Sequence, residues 1–394
     1  MLVEVHMLQN HAPSNLNRDD TGSPKEAVFG GYKRGRISSQ CWKRSLRRSE
    51  IFRKTLGDLL ATRTRSLPEL VRKRLLEAGL PENLAAVGAQ KASGFGTKEG
   101  EEQKPDANGS YRTAQTMFLS DADVRAVSDV IFAAAQKAKD PKEFAKKIPA
   151  KDLQKQAEDK GFRPIPVDMA LFGRMVTSEA FVDVEASSQF AHAISTHKVE
   201  HEFDYFTAVD DLERAADDEA GGGADMIGDV EFNSACYYKY FNVHVEGLID
   251  NLTGKAFHRS VGPEDEQRAR ETAAQALVAL VEAACRVTPS GKQNSFAAHQ
   301  LPSLIWIEVR DENLPVSYAN AFCNPVKTRT CQGVERESAQ ALKEECETLT
   351  RMYDLEARTR LLLSKDPTFQ MNGVSSRANL KDILAALKAV VLNA

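Results

Sequence analysis

No Cys-x-x-Cys pair, no His-Glu-x-x-His and no glycine-rich phosphate or dinucleotide fingerprint occurs in these 394 residues. Six cysteines (Cys41, Cys236, Cys285, Cys323, Cys331, Cys346) lie far apart. That spacing excludes a zinc ribbon and points to reduced thiols in a cytoplasmic protein. No stretch approaches the roughly twenty apolar residues of a membrane span, so no membrane partner is expected. The apolar opening Leu2–Leu8 is broken by Glu4 and His6 and carries no cleavage-site pattern, so it is not expected to be a signal peptide. No cofactor and no metal are expected from what remains. Hydrophobic content of 42% and charged content of 27% are ordinary for a globular chain, one long enough for two or three domains.

The charge is concentrated. Asn15 to Lys54 holds eleven cations (Arg18, Lys25, Lys33, Arg34, Arg36, Lys43, Arg44, Arg47, Arg48, Arg53, Lys54) against Asp19, Asp20, Glu26 and Glu50. This local +7 sits in a chain of net −4, so the remainder carries −11. A polyanion such as RNA or DNA is the natural partner of such a patch. A Gly30-Gly31 turn leads through Lys33-Arg34-Gly35-Arg36 to Ser38-Ser39, which can cap a helix starting near Gln40. On that helix Lys43 stacks over Arg47 and Arg44 over Arg48. Free N–H groups at its start can take phosphate oxygens, and the stacked cations continue the track. The alternative is a solvated basic face; glycines, serine cap and arginine stack together favour phosphate.

Along the chain, Val3, Val5 and Met7 alternate with Glu4 and His6 as a first strand. A long loop, Gln9 to Ile37, then delivers the basic helix. Residues 57–165 are helical and rich in Lys, Glu and Ala, with a polar stretch Gly94–Ser110 that should be mobile. Ser120 or Asp121 caps a helix to about Lys139, and Lys137, Lys139, Lys142, Lys146, Lys147 and Lys151 cluster beyond it. Such lysines form either a solubilising face or a nucleic-acid contact. Phe181–Ile194 and Ala235–Val245 are expected as strands around an insertion, 196–232, whose middle is acidic and glycine-rich. A helix over about Glu264–Val287, a basic glycine loop Pro289–Asn294 containing Lys292, and a strand Leu304–Val309 follow. The rest is expected to be helical, over Glu335–Leu363 and from Leu380 onward. Strand, helix, strands, helix, strand is the order of a ferredoxin-like or RNA-recognition sheet, so the expected class is α+β.

Few groups suit catalysis. Asp19 and Asp20 could hold metal ions for phosphodiester cleavage, but beside Arg18 salt bridging is the simpler role. His192, His197 and His201, near Glu200 and Glu202, lack a zinc-site spacing. His11 is a candidate base only by its nearness to the basic loop. Tyr205-Phe206 is either a plug that docks the insertion or a wedge that stacks on bases, at about 1–3 kcal/mol per base.

Several segments in fixed order carry a resemblance: HAPSNLNRDDTGSPKEAVFGGYKRGRISSQCWKRSLRRS (11–49), ALFGRM (170–175), AHAISTH (191–197), DYFTAVDDL (204–212) and LPVSYANAF (314–322). The chain resembles the backbone subunit of type I-E CRISPR Cascade, the CasC-like family, from the first strand to about residue 325. The resemblance implies a palm like an RNA-recognition domain (1–56, 166–195 and 233–394), helical fingers (57–165) and a thumb hairpin (196–232). It implies a non-catalytic subunit that polymerises head to tail along a crRNA with other Cascade subunits, so that the guide can pair with target DNA. Carried onto this chain, the RNA contacts are Arg18, Lys25, Ser38, Gln40, Lys43, Arg44 and Arg47 or Arg48, with Lys292 added from the glycine loop. Tyr205, Phe206, Thr207 and Ile227 would kink the guide, with Met175 wedging at the same nucleotide. Lys137, Lys139, Lys142 and Lys146 would meet DNA. Tyr205 stands where a tryptophan is often found, and the thumb tip is longer than usual, which leaves Met226 as the neighbour to weigh against Ile227. The contrasting expectation is a metal-dependent RNA-cleaving backbone subunit acting through a loop aspartate; a third is a stand-alone binder of single-stranded RNA.

Overall fold

The computed structural model describes residues 1–138, 140–159, 163–178, 180–208, 226–327 and 331–393; Lys139 and the acidic stretch 210–223 lie outside them. Among the described residues the strands are β1 (Leu2–Ser14), β2 (Glu26–Phe29), β3 (Tyr32–Ile37), β4 (Thr62–Thr64), β5 (Met117–Leu119), β6 (Ser188–Phe190), β7 (Ala193–Ser195), β8 (Glu202–Ala208), β9 (Met226–His244), β10 (Leu304–Arg310), β11 (Thr359–Ser364) and β12 (Ser375–Ser376). The chain divides into two compact units, Met1–Phe52 with Gln189–Val243 and Leu277–Ala394, and Arg53–Ser188 with His244–Ala276.

The first unit is built on one sheet in the order β12-β11-β10-β1-β9-β7-β3-β2, with β6 and β8 also pairing with β9. Pairing is antiparallel for β1 with β10, β10 with β11, β7 with β9, β3 with β7 and β2 with β3; only β11 with β12 is parallel among these. In chain order β1, β7, β9 and β10 lie in the sheet as fourth, first, third, second. The class is α+β, as the strand and helix order predicted.

β1 departs from simple alternation. Its apolar residues are buried, but so are Glu4 and His6, both fully. The sequence pattern placed a polar face there; the structure covers it and gives Glu4 and the Nδ1 of His6 partners. Glu4 accepts from Arg310 Nε (2.8 Å), Tyr240 O–H (2.6 Å) and Val316 N–H (2.7 Å). Glu308 accepts from Arg310 (2.8 Å), Arg360 Nε (2.7 Å) and Tyr318 O–H (2.8 Å). Burial alone would raise Glu308, yet Arg310, the Arg360 hydrogen bond and the Tyr318 hydroxyl together hold its carboxyl below the ordinary range. His6 stacks on Tyr240 with ring centroids 5.0 Å apart, and its Nδ1 is 2.9 Å from the Tyr238 hydroxyl. Burial pushes this imidazole down to about 4.

Three further expectations are corrected. The helix expected to reach Leu363 ends at Tyr353, where Asp354 turns into the left-handed region at φ +50°, and β11 follows. Its Leu361 and Leu362 are buried against Ile307 and Trp306; a short apolar run carries too little periodicity to separate strand from helix. The expected loop Gln9–Ile37 contains the end of β1 and the β2–β3 hairpin. Gly30 and Gly31, at φ +61° and +81°, make the two-residue turn of that hairpin. Within Phe181–Ile194, only β6 and the first residues of β7 are extended in a ladder.

The second unit packs helices Leu67–Glu77, Glu82–Ser93, Asp121–Lys137, Pro141–Lys147 and Ala150–Glu158 around Val71, Leu75, Phe95, Val127, Ile131, Phe144 and Leu153. Ser120 and Asp123 form the reciprocal capping box of the Asp121–Lys137 helix. The polar stretch Gly94–Ser110 has no regular element beyond the turn Gly94–Gly96, but it is tethered by Lys91–Glu102 (2.6 Å) and Lys151–Glu99 (2.6 Å) ion pairs. Among the described residues no helix is long and apolar enough to cross a membrane.

Through His6, buried neutral, the unfolded chain binds one more proton than the folded chain between pH 6.5 and about 4, and buried His11, pushed down to about 3, acts in the same direction. The His6 contribution to stability is expected to be full above that window and to fall by about 3 kcal/mol as pH drops through it. Urea unfolding followed by the fluorescence of Trp42 and Trp306, both in the first unit, checks this; His6→Gln should flatten the slope.

Candidate nucleic-acid interface

The basic segment folds as a clamped loop feeding a short helix. Asp19 Oδ1 accepts from Thr21 N–H (2.9 Å), Thr21 O–H (2.8 Å) and Ser23 N–H (3.0 Å), and the Thr21 bond leads in holding this carboxyl below its ordinary value. Asn15 Nδ2 donates to Gly22 O and Glu231 O, each at 2.9 Å, while Asn17 Oδ1 accepts from Ser38 N–H at 2.8 Å. The loop is thus tied to the start of the helix Ser39–Arg47, which Ser38 caps through Cys41 N–H (3.3 Å). Trp42 and Leu46 anchor its inner face; Trp42 meets Phe190 and Phe241 edge-on at 5.2 and 5.8 Å. Fully buried Lys239 lies 5.3 Å from the Trp42 ring and donates to Gln9, with burial lowering its ammonium to about 8.

The outer face carries the cations. Arg18, Gln40, Arg44 and Arg48 are exposed, while Lys25, Lys43 and Arg47 are half-buried and Ser38 is buried in the cap. A groove of about 530 Å³ is lined by Asn17, Arg18, Asp20, Arg44, Ser290 and Gly291 among others. Burial raises the thiol of Cys41 in this groove, against the opposing influence of Lys25 and Arg44 nearby. Gly291 is required where it stands, since a Cβ there would lie 2.5 Å from Leu16 O and 2.6 Å from Asn15 O. Lys292, half-buried at φ +49°, follows it.

The expected track through Lys33-Arg34-Gly35-Arg36 is only partly available. Arg34 is fully buried, donating to Ser195 O (3.0 Å) and Phe322 O (2.7 Å), and Arg36 Nε donates to Glu26 O (2.9 Å). Lys33 pairs with Glu26 at 3.3 Å. Charge counting could not separate these arginines from the exposed ones.

Tyr205 and Phe206 are adjacent in sequence but not in direction. β8 pairs with β9 so that Phe203 faces Glu231, Tyr205 faces Asp229, Phe206 faces Gly228 and Thr207 faces Ile227. Strand alternation puts Phe203, Tyr205, Thr207 and Ile227 on one face and Phe206 on the other. Phe206 lies over Gly228, whose absent Cβ would be 2.6 Å from its ring. Tyr205 is 65%, Ile227 60% and Phe206 40% exposed, so none is buried as a plug would be. Phe203, 62% exposed, belongs to the same face and was missed. Its spacing of two residues from Tyr205 was the available signal.

In the second unit, Gly173 at φ +79° and buried Arg174, paired with Asp123 at 2.7 Å, thrust Met175 outward to 91% exposure. Lys137, Lys142 and Lys146 are exposed, the last two one turn apart on Pro141–Lys147; Lys139 lies outside the described residues. The three histidines do not converge. His192 meets Arg36 (3.0 Å), His197 meets Cys236 N–H (3.3 Å), and His201 meets Glu26 and Glu231. His11 is buried, its imidazole pushed down by burial to about 3. Among the described residues no three His, Cys, Asp or Glu side chains gather as metal ligands would.

The family model of the CT1975-like protein matches residues 3–387. A chain of a CRISPR RNA-guided surveillance complex, pre-nicking, superposes with a TM-score of 0.79 at 29% identity, covering 99% of this chain and 100% of that one. A chain of a second CRISPR RNA-guided surveillance complex gives 0.70 at 25% identity, with 99% and 100% covered. No curated relative matches the chain.

Gly291→Ala is expected to push the Asn15–Leu16 backbone and open the groove, costing about 1–3 kcal/mol. A lowered urea midpoint checks it; an unchanged midpoint contradicts the close approach.

Proposed function

The chain belongs to the CT1975-like protein family, and from that premise we propose that it is the crRNA-binding backbone subunit of a type I-E CRISPR antiviral surveillance complex. In this reading it is non-catalytic, cytoplasmic and present in several copies joined head to tail along the guide. Such a heterologous contact continues as an open filament until other subunits cap it. Palm (1–56, 166–195 and 233–394), fingers (57–165) and thumb (196–232) are the parts of this reading. The sheet order fourth-first-third-second supports the RNA-recognition-like palm.

The observation that carries the proposal is the pairing, within one unit, of a phosphate-suited groove and a solvent-facing stacking surface. Arg18 and Arg44 line the groove and can neutralise phosphates without reading bases. Phe203, Tyr205, Thr207 and Ile227 offer a face on which any base can stack. A subunit repeated along every guide needs both properties, because sequence choice is left to pairing between guide and target. Met175, exposed on its buried Arg174 footing, acts as the second wedge; Lys137, Lys142 and Lys146 meet target DNA.

An RNA-cleaving subunit is the contrasting reading. Asp19 spends Oδ1 on three hydrogen bonds within its own loop, which favours a clamp over a metal ligand. If purified protein cleaves RNA with magnesium and Asp19→Ala or Asp20→Ala abolishes this, the non-catalytic reading falls.

Co-expression with the neighbouring genes and a CRISPR array should yield a large complex holding several copies of this chain on one discrete RNA. A bare monomer without RNA contradicts the proposal. Arg44→Glu should weaken guide binding about equally for all sequences and reduce the salt slope by about one; a sequence-selective loss contradicts phosphate contact. Tyr205→Ala and Phe203→Ala should each weaken binding by about 1–3 kcal/mol with little change in salt slope.

A further inference from the structure

Lys91 and Lys239 are buried among the described residues, and only one of them is neutralised. Lys91 pairs with Glu102 at 2.6 Å, whereas among the described residues no carboxylate acts on Lys239. A buried ammonium without a counter-ion is costly, and an apolar side chain of like volume would be the more stable choice. Stability therefore does not account for Lys239, but its contacts do. Its Nζ lies 5.3 Å from the centre of the Trp42 ring and donates to Gln9 Oε1, and Gln9 Nε2 donates onward to the Gln300 carbonyl at 2.6 Å. Trp42 anchors the inner face of the helix Ser39–Arg47, whose Cys41, Arg44 and Ser45 line the groove. Gln300 closes the segment that opens with Ser290 and Gly291, which line it as well. Lys239 thus reaches two walls of the groove from inside the sheet, and β9, which carries it, also forms one strand of the aromatic hairpin.

We propose that Lys239 is a positioning residue for the guide, aligning two walls of the groove through Trp42 and through the relay from Gln9 to Gln300. The inference rests on the guide-binding reading above. Both contacts draw on the positive charge: attraction to the indole face requires a cation, and a neutral amine is the weaker donor to Gln9. Burial lowers this ammonium to about 8, so the alignment is complete below that value and relaxes above it. The titratable neighbours hold one state across that range. His11 on β1 is pushed down to about 3 and Cys285 on the helix Pro263–Arg286 is pushed up to about 12, so both stay neutral. His299 neighbours His11, and Glu282 and Arg286, beside Cys285, pair with each other at 3.2 Å.

Guide affinity, urea stability and the indole signals of the full chain test this. At constant ionic strength, wild-type affinity should fall about fivefold between roughly pH 7 and roughly pH 9. Lys239→Met keeps the length and removes the charge. It should bind about fivefold more weakly than wild type at the lower pH, show no fall at the higher, and keep or raise the urea midpoint. Lys239→Arg, cationic at both values, should restore tight binding at both. In nitrogen-labelled protein the Trp42 indole N–H signal should move with a midpoint near pH 8 and stay fixed in Lys239→Met. Arg44→Glu should bind weakly at both values while keeping the fivefold ratio. A pH-independent wild-type affinity, or a Lys239→Met that binds like wild type, overturns the positioning role. A Lys239→Met whose affinity and urea midpoint fall together overturns it too, because the residue then serves only the fold. An absence of guide binding in every form instead overturns the guide-binding reading, with the indole titration still deciding whether Lys239 governs Trp42.

Discussion

Two carboxylates inside a sheet must be neutralised or the strands that carry them cannot pair. Glu4 on β1 and Glu308 on β10 lie on adjacent strands, and Arg310 bridges them with hydrogen bonds of 2.8 Å to each. Arg360 from β11 and the hydroxyls of Tyr240 and Tyr318 complete the set. Desolvating several charges is expensive, and a buried pair is weak evidence for stability by itself. What it supplies is register: shifting β10 by one residue against β1 would turn Arg310 and its strand-mate Glu308 to the face away from Glu4. β1 in turn borders β9, the strand that continues into the aromatic hairpin, so the register of the interior fixes where the hairpin emerges.

The sequence carried much of this, but unevenly. The helices Asp121–Lys137 and Pro263–Arg286 were legible because their periodicity runs long and their starts are capped or acidic. β10 was legible because LIWIEV is rich in β-branched and aromatic residues. β11 was not, because TRLLLS suits either element until its pairing with β10 decides. β1 was legible as a strand, but the burial of Glu4 and His6 was not. Nothing local to Glu4 reveals that Arg310, 306 positions away, will meet it.

The site was legible as composition and as resemblance, and less so as geometry. Arg18 and Arg44 line the groove, whereas Arg34 is consumed in holding backbone carbonyls. The two kinds of arginine are indistinguishable in a charge count, since burial depends on which strand neighbours β3. Tyr205-Phe206 was taken as a unit, while the strand period of two splits it and recruits Phe203 in its place. His201 looked like one of three loose histidines, because Glu26 and Glu231 reach it only through the fold.

The pairing from Glu202↔Phe232 to Ala208↔Met226 has an evolutionary consequence. The membership of the face that carries Phe203 and Tyr205 is set by parity: which side chains share it depends on the alignment of two strands, not on how many residues join them. Insertions and deletions in the connection can accumulate freely provided the ladder stays in step. A deletion of a single residue within either strand would exchange the two faces beyond it, sending one set of side chains to the opposite side. Homologous chains should therefore vary widely in the length of this connection while holding the spacing between Phe203 and Tyr205 constant.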